Sequence, residues 1–530
     1  MREPAPDHCT QSAMTRREKT LALLALAAFC GVLAALALGR TYFDYGTETD
    51  YVGSFVPEAE RVLASLPLTL EWHPPLYPLL LAPAQMAMGN WLLAGLAVSY
   101  LSAIAAIVCS FLFFRRIAGR GAGWGALLGL AGSGVFIEYA ASASSDMLFL
   151  ALFLASYLLT LRAIEIRHPL LWLAAGLLAG LALLARSNAI TLVLLGAAPL
   201  LCQAPARQKA GFLLLSLLGL ALPVATWAAS AAASGAPFMP SGNRVNLAMT
   251  YFAEGADRVS YYARLEVLGR FEGVLDVLLH DPARIARVYL ADLVRLLHAG
   301  LPLLLEAPLN LLFAPGLVFL LLRRWNRVVA FFLAVTLAQV LLVNMKAFEP
   351  RLYLFLVPFF GAGVAEIFIW ILRSAPQGAG RHAVLALLIL GAAGAVGTAL
   401  ARAHGRLEHG RDELADAVPK AQRLLDGPAA MLARKPHLPF YAGARQIHFP
   451  DVGSLRELRQ AMAAEAGKAP LYLFFGSQER SSWPWLEALV TPATAPGWLQ
   501  PIAISERPGA WALYRYAGEA STPGRPAASD

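Results

Sequence analysis

An all-α polytopic membrane bundle carrying a small α/β domain at its C-terminal end is the fold class this sequence predicts, and three observations predict it. Hydrophobic residues make up 58% of the 530 and charged residues only 15%. With a mean hydropathy of +0.56, that is more apolar surface than one water-soluble core can bury. The apolar residues come in runs close to twenty long, the length a helix needs to cross a bilayer core about 30 Å thick. Beyond residue 401 the runs stop, and short alternating segments replace them.

Residues 1–19 read as a cytoplasmic N-terminus and 20–401 as a membrane domain. Eleven spans are expected, over 20–39, 91–114, 121–140, 146–163, 169–185, 187–204, 211–233, 302–322, 328–344, 352–372 and 383–401. The first run is expected to stay as an anchor, because no small-residue cleavage site follows it. The run 75–89, PLYPLLLAPAQMAMG, is too short to cross at about 22 Å as a helix, and Pro78 and Pro83 interrupt it, so it reads as an interfacial or re-entrant helix.

Charge supports this count. With the N-terminus inside, Arg2, Arg16, Arg17, Lys19, Arg115, Arg116, Arg120, Arg162, Arg167, Arg207, Lys209, Arg323, Arg324, Arg327, Arg373 and Arg381 are cytoplasmic, against Arg40, Arg61, Arg186, Lys346 and Arg351 in short outer segments. A twelfth crossing at 75–89 would turn the later arginine loops outward. The formal charge of +8 is thus that of cytoplasmic loop anchors. No basic face is clustered, so no nucleic-acid partner is expected. Cys9, Cys30, Cys109 and Cys202 lie near the N-terminus, in apolar runs or at the edge of one, and imply no disulfide framework.

Three outer regions follow: loop 40–90, loop 234–301 and the tail. In the middle loop, DPARIARVYLADLVRLLHAG repeats Ile285, Val288, Leu293, Leu296 and Leu297 at helical spacing between arginines, an amphipathic helix for the membrane surface or for cover over the bundle. Residues 402–516 read as a small extracytoplasmic α/β domain. AAMLARKP, RQIHF, APLYLFF and WALYRY are its strands, and SLRELRQAMAAEAG is a helix with a serine start and a glycine stop. It carries no phosphate-cradling glycine loop or nucleophile elbow, so a lidding or partner-binding role is expected of it. Residues 517–530, rich in Gly, Pro, Ala and Ser, read as disordered.

On this topology the ionisable residues near span ends gather on the outer face. Loop 40–90 holds FDYGTETDYVG, with Asp44, Glu48 and Asp50, and then EWHPPLYP, with His73. Asp146 opens the fourth span, Arg186 separates the fifth and sixth, and Lys346, Glu349 and Arg351 precede the tenth. Ionisable groups at such depths are costly and mark functional sites by default. A carboxylate can take a proton from an acceptor hydroxyl while cations neutralise a phosphate leaving group. Arg186 and Arg351 can hold phosphate oxygens in a fork, and Lys346 acts as a point charge. The blander roles are snorkelling anchors for the cations and an N-cap for Asp146 in SSDMLF. His73 is open to a metal, a phosphate or acceptor contact, or a plain helix start. A lone histidine without a spaced second ligand assigns no metal, and contact with phosphate or acceptor is preferred.

The acidic loop after the first span, HPPLYP at 73–78, Ser-Asp-Met at 145–147, GLALLARSN at 180–188 and EPRLYLFLVPF at 349–359 resemble the GT-C glycosyltransferases. Within them they are most similar to the bacterial protein mannosyltransferase-like and aminoarabinose transferase-like branch, over about residues 20–372. The resemblance implies a multi-pass enzyme of the bacterial inner membrane, with its N-terminus cytoplasmic and its tail periplasmic. Such an enzyme moves a sugar from a polyprenyl-phosphate donor to a lipid, polysaccharide or protein acceptor, with inversion. By the same resemblance Asp50 is the general base, Asp146 orients the acceptor or the base, and Arg186 and Arg351 bind the donor phosphate. The family often has Asp-Glu where this chain has Asp50-Tyr51, so Asp44 and Glu48 stay candidates for the base. A transporter or lipid flippase of cell-envelope precursors is the alternative, but the chain has no paired halves, and its charges lie on one face rather than at the midplane. A non-catalytic assembly protein presenting its tail would leave the acidic loop unexplained.

Overall fold

The computed structural model describes residues 14–70, 72–240, 242–252, 271–345, 349–425, 427–450, 452–467, 469–507 and 510–518. It divides into two compact units: Met1–Arg40, Ser54–Tyr251 and Gly273–Leu407 form one, and Thr41–Gly53, Phe252–Glu272 and Glu408–Asp530 form the other.

The first unit is helical. Its helices are α1 Arg16–Leu38, α2 Val56–Leu63, α3 Leu76–Met88, α4 Trp91–Ala118, α5 Arg120–Ala131, α6 Gly134–Ala140, α7 Asp146–Ile166, α8 Pro169–Ala185, α9 Ala206–Ser234, α10 Gly242–Phe252, α11 Val274–His280, α12 Pro282–Arg295, α13 Leu309–Arg324, α14 Arg327–Val343, α15 Val357–Ser374 and α16 Ala379–Leu407. Turns of 3₁₀ geometry run over Ser187–Leu201 and Pro350–Leu356. Among the described residues, six helical stretches are long and apolar enough to cross a membrane: Arg16–Leu38, Trp91–Ala118, Asp146–Ile166, Ala206–Ser234, Pro350–Ser374 and Ala379–Leu424. A seventh counts if Pro282–Leu304 and Leu309–Arg324, bent by 113°, form one span.

The gap between seven and eleven has local causes. The expected span 121–140 is broken where α5 ends and Ser133 caps α6, its hydroxyl accepting the Phe136 amide at 3.2 Å. Pro169–Ala185, Ser187–Leu201 and Arg327–Val343 are apolar but only 15–17 residues long. The helix α3 has 13 residues with Pro83 inside, about 20 Å, short of a crossing. Outward leucines such as Leu214, Leu311, Leu322 and Leu387, each at least 67% exposed, mark faces meant for lipid rather than water.

Where the helices touch, small residues let the backbones meet. A Cβ added at Gly176 of α8 would overlap the Ser216 carbonyl of α9, and one at Gly219 of α9 would overlap the Leu173 carbonyl of α8. Gly125 and Gly129 of α5 meet Gly361 of α15 in the same way. Further in, Phe113, Phe153, Tyr157 and Phe332 pack ring to ring with centroids 4.5–5.6 Å apart. The amphipathic segment forms α12, capped by Asp281, which accepts the Arg284 amide at 2.9 Å; none of its residues is fully buried.

The second unit holds a five-stranded sheet: β1 Ala430–Ala433, β2 Arg445–His448, β3 Leu471–Phe475, β4 Leu499–Ile504 and β5 Ala512–Tyr516, in the order β2-β1-β3-β5-β4. The strands β2, β1 and β3 are parallel, and β5 and β4 are added antiparallel. Its helices are α17 Arg411–Leu424, α18 His437–Tyr441, α19 Leu455–Glu465 and α20 Ser477–Ser482. The inner strands read as continuous apolar runs because both faces are covered. Leu432 and Leu473 pack with Leu458 and Met462 on one face, and Met431 and Phe474 with Leu414 and Trp511 on the other. The segment Thr41–Gly53 belongs to this unit.

Candidate functional site

The candidate residues fall into two groups, one in each unit. In the second unit the acidic segment is a tight turn built by its own carboxylates. Asp44 Oδ1 accepts the amides of Gly46 at 2.8 Å and Thr47 at 2.6 Å, and Glu48 Oε2 accepts the Asp44 amide at 2.8 Å. Asp44 is 2% and Glu48 0% exposed. Their oxygens serve the backbone, whose amides would otherwise be buried without acceptors. Asp50 is half-buried and lies one residue before a π-helical turn over Tyr51–Phe55.

The tail grips this turn through the loop and short helix that follow β1 and through α17. The fully buried ring of His437 donates from Nε2 to the Asp44 carbonyl at 2.7 Å, the Phe43 amide donates to the Tyr441 hydroxyl at 3.0 Å, and Tyr45 donates to Glu413 Oε1 at 2.9 Å. Lys435 Nζ donates to Thr49 Oγ1 at 2.8 Å, and that hydroxyl donates on to the Tyr45 carbonyl at 2.9 Å. Burial, then the neighbouring Arg434, hold the Lys435 ammonium below the usual lysine range, against the opposing pull of Asp50, Asp44 and Glu479. The loop after β1 is also tied to the segment after β3. Glu479, 1% exposed, accepts the Arg434 amide at 2.7 Å and the Gly476 amide at 3.0 Å. Burial raises its carboxyl to about 7. Lys435, His437, Glu413 and Glu479 had no distinguishing motif in the sequence; only their placement beyond the ends of β1 and β3, or on the helix packed there, groups them.

In the first unit Asp146 and Arg186 form an ion pair. Arg186 Nη1 donates to Asp146 Oδ1 at 2.5 Å, with the carboxylate side chain 4% and the guanidinium 17% exposed. Asp146 is therefore not the helix cap. Ser145 occupies the cap position of α7, and Asp146, in the first turn, lies where the helix dipole favours its charge. Arg186 leaves α8 in extended backbone, φ −150° and ψ 129°, before the 3₁₀ run begins. Arg351 Nε donates to Glu349 Oε2 at 2.5 Å. Asp146, Arg351, Glu349 and Glu138 all lie within electrostatic range of Tyr139 on α6, and Glu138 accepts from Arg406 Nη1 at 2.6 Å. Glu138 escaped the sequence reading, although an acid inside the apolar run GVFIEYA is the signal that marks it. Arg40 Nη1 donates to the Ala141 carbonyl at 3.0 Å and pins the end of α1 to the end of α6.

His73 is half-buried and stacked on Phe55, ring centroids 4.2 Å apart, with Phe55 edge-on to Tyr77. The structure thus brings Asp44, Glu48 and Asp50 together in one unit and places Asp146, Arg186 and Arg351 in the other, where His73 packs apart on Phe55. Lys346 lies outside the described residues.

Residues 72–228 match the family model of dolichyl-phosphate-mannose-protein mannosyltransferases. Among curated proteins no sequence matches the chain. Among solved structures, ArnT from Cupriavidus metallidurans bound to undecaprenyl phosphate superposes with a TM-score of 0.55 at 13% identity, over 96% of this chain and 100% of that one. The archaeal oligosaccharyltransferase AglB from Archaeoglobus fulgidus, in complex with an inhibitory peptide and a dolichol-phosphate, superposes with a TM-score of 0.55 at 12% identity, over 96% of this chain and 75% of that one. The chain thus shares the fold of these two membrane proteins, and within it residues 72–228 are similar to the mannosyltransferase family model.

Proposed function

We propose that the protein transfers a sugar from a polyprenyl-phosphate donor to an acceptor at the outer face of the bacterial inner membrane, by a single displacement that inverts the anomeric centre. An acceptor O–H or N–H attacks the anomeric carbon, and Asp50 takes its proton. The bond from that carbon to the phosphate oxygen breaks, and polyprenyl phosphate leaves with the electron pair. Asp146 orients the acceptor or the base, and Arg186 and Arg351, with Lys346 and His73, neutralise the phosphate. The solved relatives bound to undecaprenyl phosphate and dolichol-phosphate support the choice of lipid carrier.

The observation that carries the assignment of the base is the division of labour among the first-loop carboxylates. Asp44 and Glu48 are buried and accept backbone amides, while Asp50 is the acid of the turn left half-buried. A base must reach an incoming proton, which the half-buried Asp50 can do and the buried Asp44 and Glu48 cannot without opening the turn. The topology proposed with this reaction keeps eleven crossings, with the shorter apolar helices spanning as part of the bundle and the tail outside.

The test is to supply purified protein with radiolabelled polyprenyl-phosphate sugars and a membrane-lipid, glycan or peptide acceptor. Release of polyprenyl phosphate together with a product of inverted configuration is expected. A product of retained configuration, or no donor consumed from the panel, contradicts the proposal.

A further inference from the structure

In sheets with parallel strands, ligands sit beyond the carboxyl ends of the strands where the connections part in opposite directions. Here that point lies between β1 and β3. The chain leaves β1 toward β2 on one side, while β3 is followed by the antiparallel pair on the other. The acidic turn is held at this place. His437, Lys435 and Glu413 bond to Asp44, Thr49 and Tyr45, and a Cβ on Gly53 would be in contact with Pro436 at 3.4 Å. In most of these bonds a tail side chain meets the turn's backbone or an uncharged group. Lys435 is a tail cation bonded to the turn at the residue next to Asp50.

We propose that Lys435 is a positioning residue for the base: from the loop after β1 it anchors the acidic turn at Thr49 and supplies the cation that balances the Asp50 carboxylate. The tail sheet is then part of the machinery that presents the base, not a cover over it. This rests on the reading of Asp50 as the base. The charged groups around the ammonium are Asp50, Asp44, Glu479 and Arg434. Removing one positive charge from such a set makes the carboxylates harder to ionise, so Asp50 would lose its proton at higher pH.

Two readouts on the full-length protein test this, each comparing wild type with Lys435→Gln, which keeps a donor for Thr49 but no charge, and Lys435→Arg, which keeps the charge. In the transfer assay, Lys435→Gln is expected to lower kcat about tenfold, leave the donor KM within about twofold and move the acid limb of the pH profile up by about half a unit. Lys435→Arg is expected to restore the position of the limb. Independently of turnover, the pH midpoint of carbodiimide labelling at Asp50, read by peptide mass spectrometry, is expected to rise in Lys435→Gln and to return in Lys435→Arg. Superimposable profiles and midpoints for wild type and Lys435→Gln, or equal displacement in both variants, would overturn the proposal. If wild type consumes no donor, the transferase reading fails, and the labelling midpoint still decides the coupling of Lys435 to Asp50.

Discussion

At the scale of single residues, the ion pair of Asp146 and Arg186 makes the sharpest separation between folding and chemistry. Both groups are largely removed from solvent, and deleting one partner leaves the other charge uncompensated, at about 3–5 kcal/mol. Arg186→Met and Asp146→Asn are each expected to lower the thermal midpoint in detergent, and the double variant to recover much of that loss. Transfer should stay lost in the double variant, because under the proposed mechanism nothing would replace the Arg186 guanidinium at the donor phosphate. A double variant as unstable as Arg186→Met alone would deny the pairing its structural role. This scale was also the hardest to read from sequence. Asp146 and Arg186 stood out as ionisable residues at span ends, but that they bond to each other across 40 residues depends on how α7 and α8 pack. The buried roles of Asp44 and Glu48 were equally hidden, since turn chemistry and catalysis ask for the same residue type.

Among the elements, the contact of α8 with α9 depends on glycine. Gly176→Ala drives a methyl group into the Ser216 carbonyl, so the helices must part, at about 1–3 kcal/mol. Its melting midpoint, followed by fluorescence-detected size exclusion, should fall. Gly211→Ala in α9, where a Cβ meets nothing within 4 Å, should leave it unchanged; equal effects from both would refute the close-contact account. In the tail, Glu479 titrates near pH 7 against 4.5 for an ordinary glutamate. Its raised pKa contributes stability that is fully present below pH 4.5 and is lost as pH rises through 7, because only the unfolded chain gives up the proton freely in that window. Opening of β1 and β3, followed by amide exchange corrected for intrinsic rate, should become easier from pH 4.5 to 7 and level off above. Glu479→Gln should flatten this slope, and an unchanged slope would exclude Glu479 as its source. Most tail elements were legible: RQIHF and APLYLFF became β2 and β3, and Ser454 caps α19 by accepting the Glu457 amide. Strand β4 was missed because Pro501 argues against a strand, yet it sits at the sheet edge beside an irregular register, where proline is tolerated.

For the whole molecule, the membrane character follows from hydropathy alone, while the number of crossings does not, since helices of 15–17 residues span only if the bundle around them permits it. Reporter fusions after residues 118, 205 and 410 are expected to read inside, inside and outside, and an inside reading at 410 would reverse the orientation. The membership of Thr41–Gly53 in the tail unit could not have been foreseen, because it joins segments more than 350 residues apart through side chains with no motif of their own. It also holds in place a turn whose shape its own carboxylates build, and with it the distinction between Asp50 and its neighbours. The central claim is tested most directly by measuring release of polyprenyl phosphate from radiolabelled donors by wild type, Asp44→Asn and Asp50→Asn under identical conditions. Asp50→Asn is predicted to lose about 10²-fold or more in kcat while Asp44→Asn, whose amide oxygen still accepts the turn's amides, keeps most of it. An Asp50→Asn enzyme as active as wild type would contradict the account.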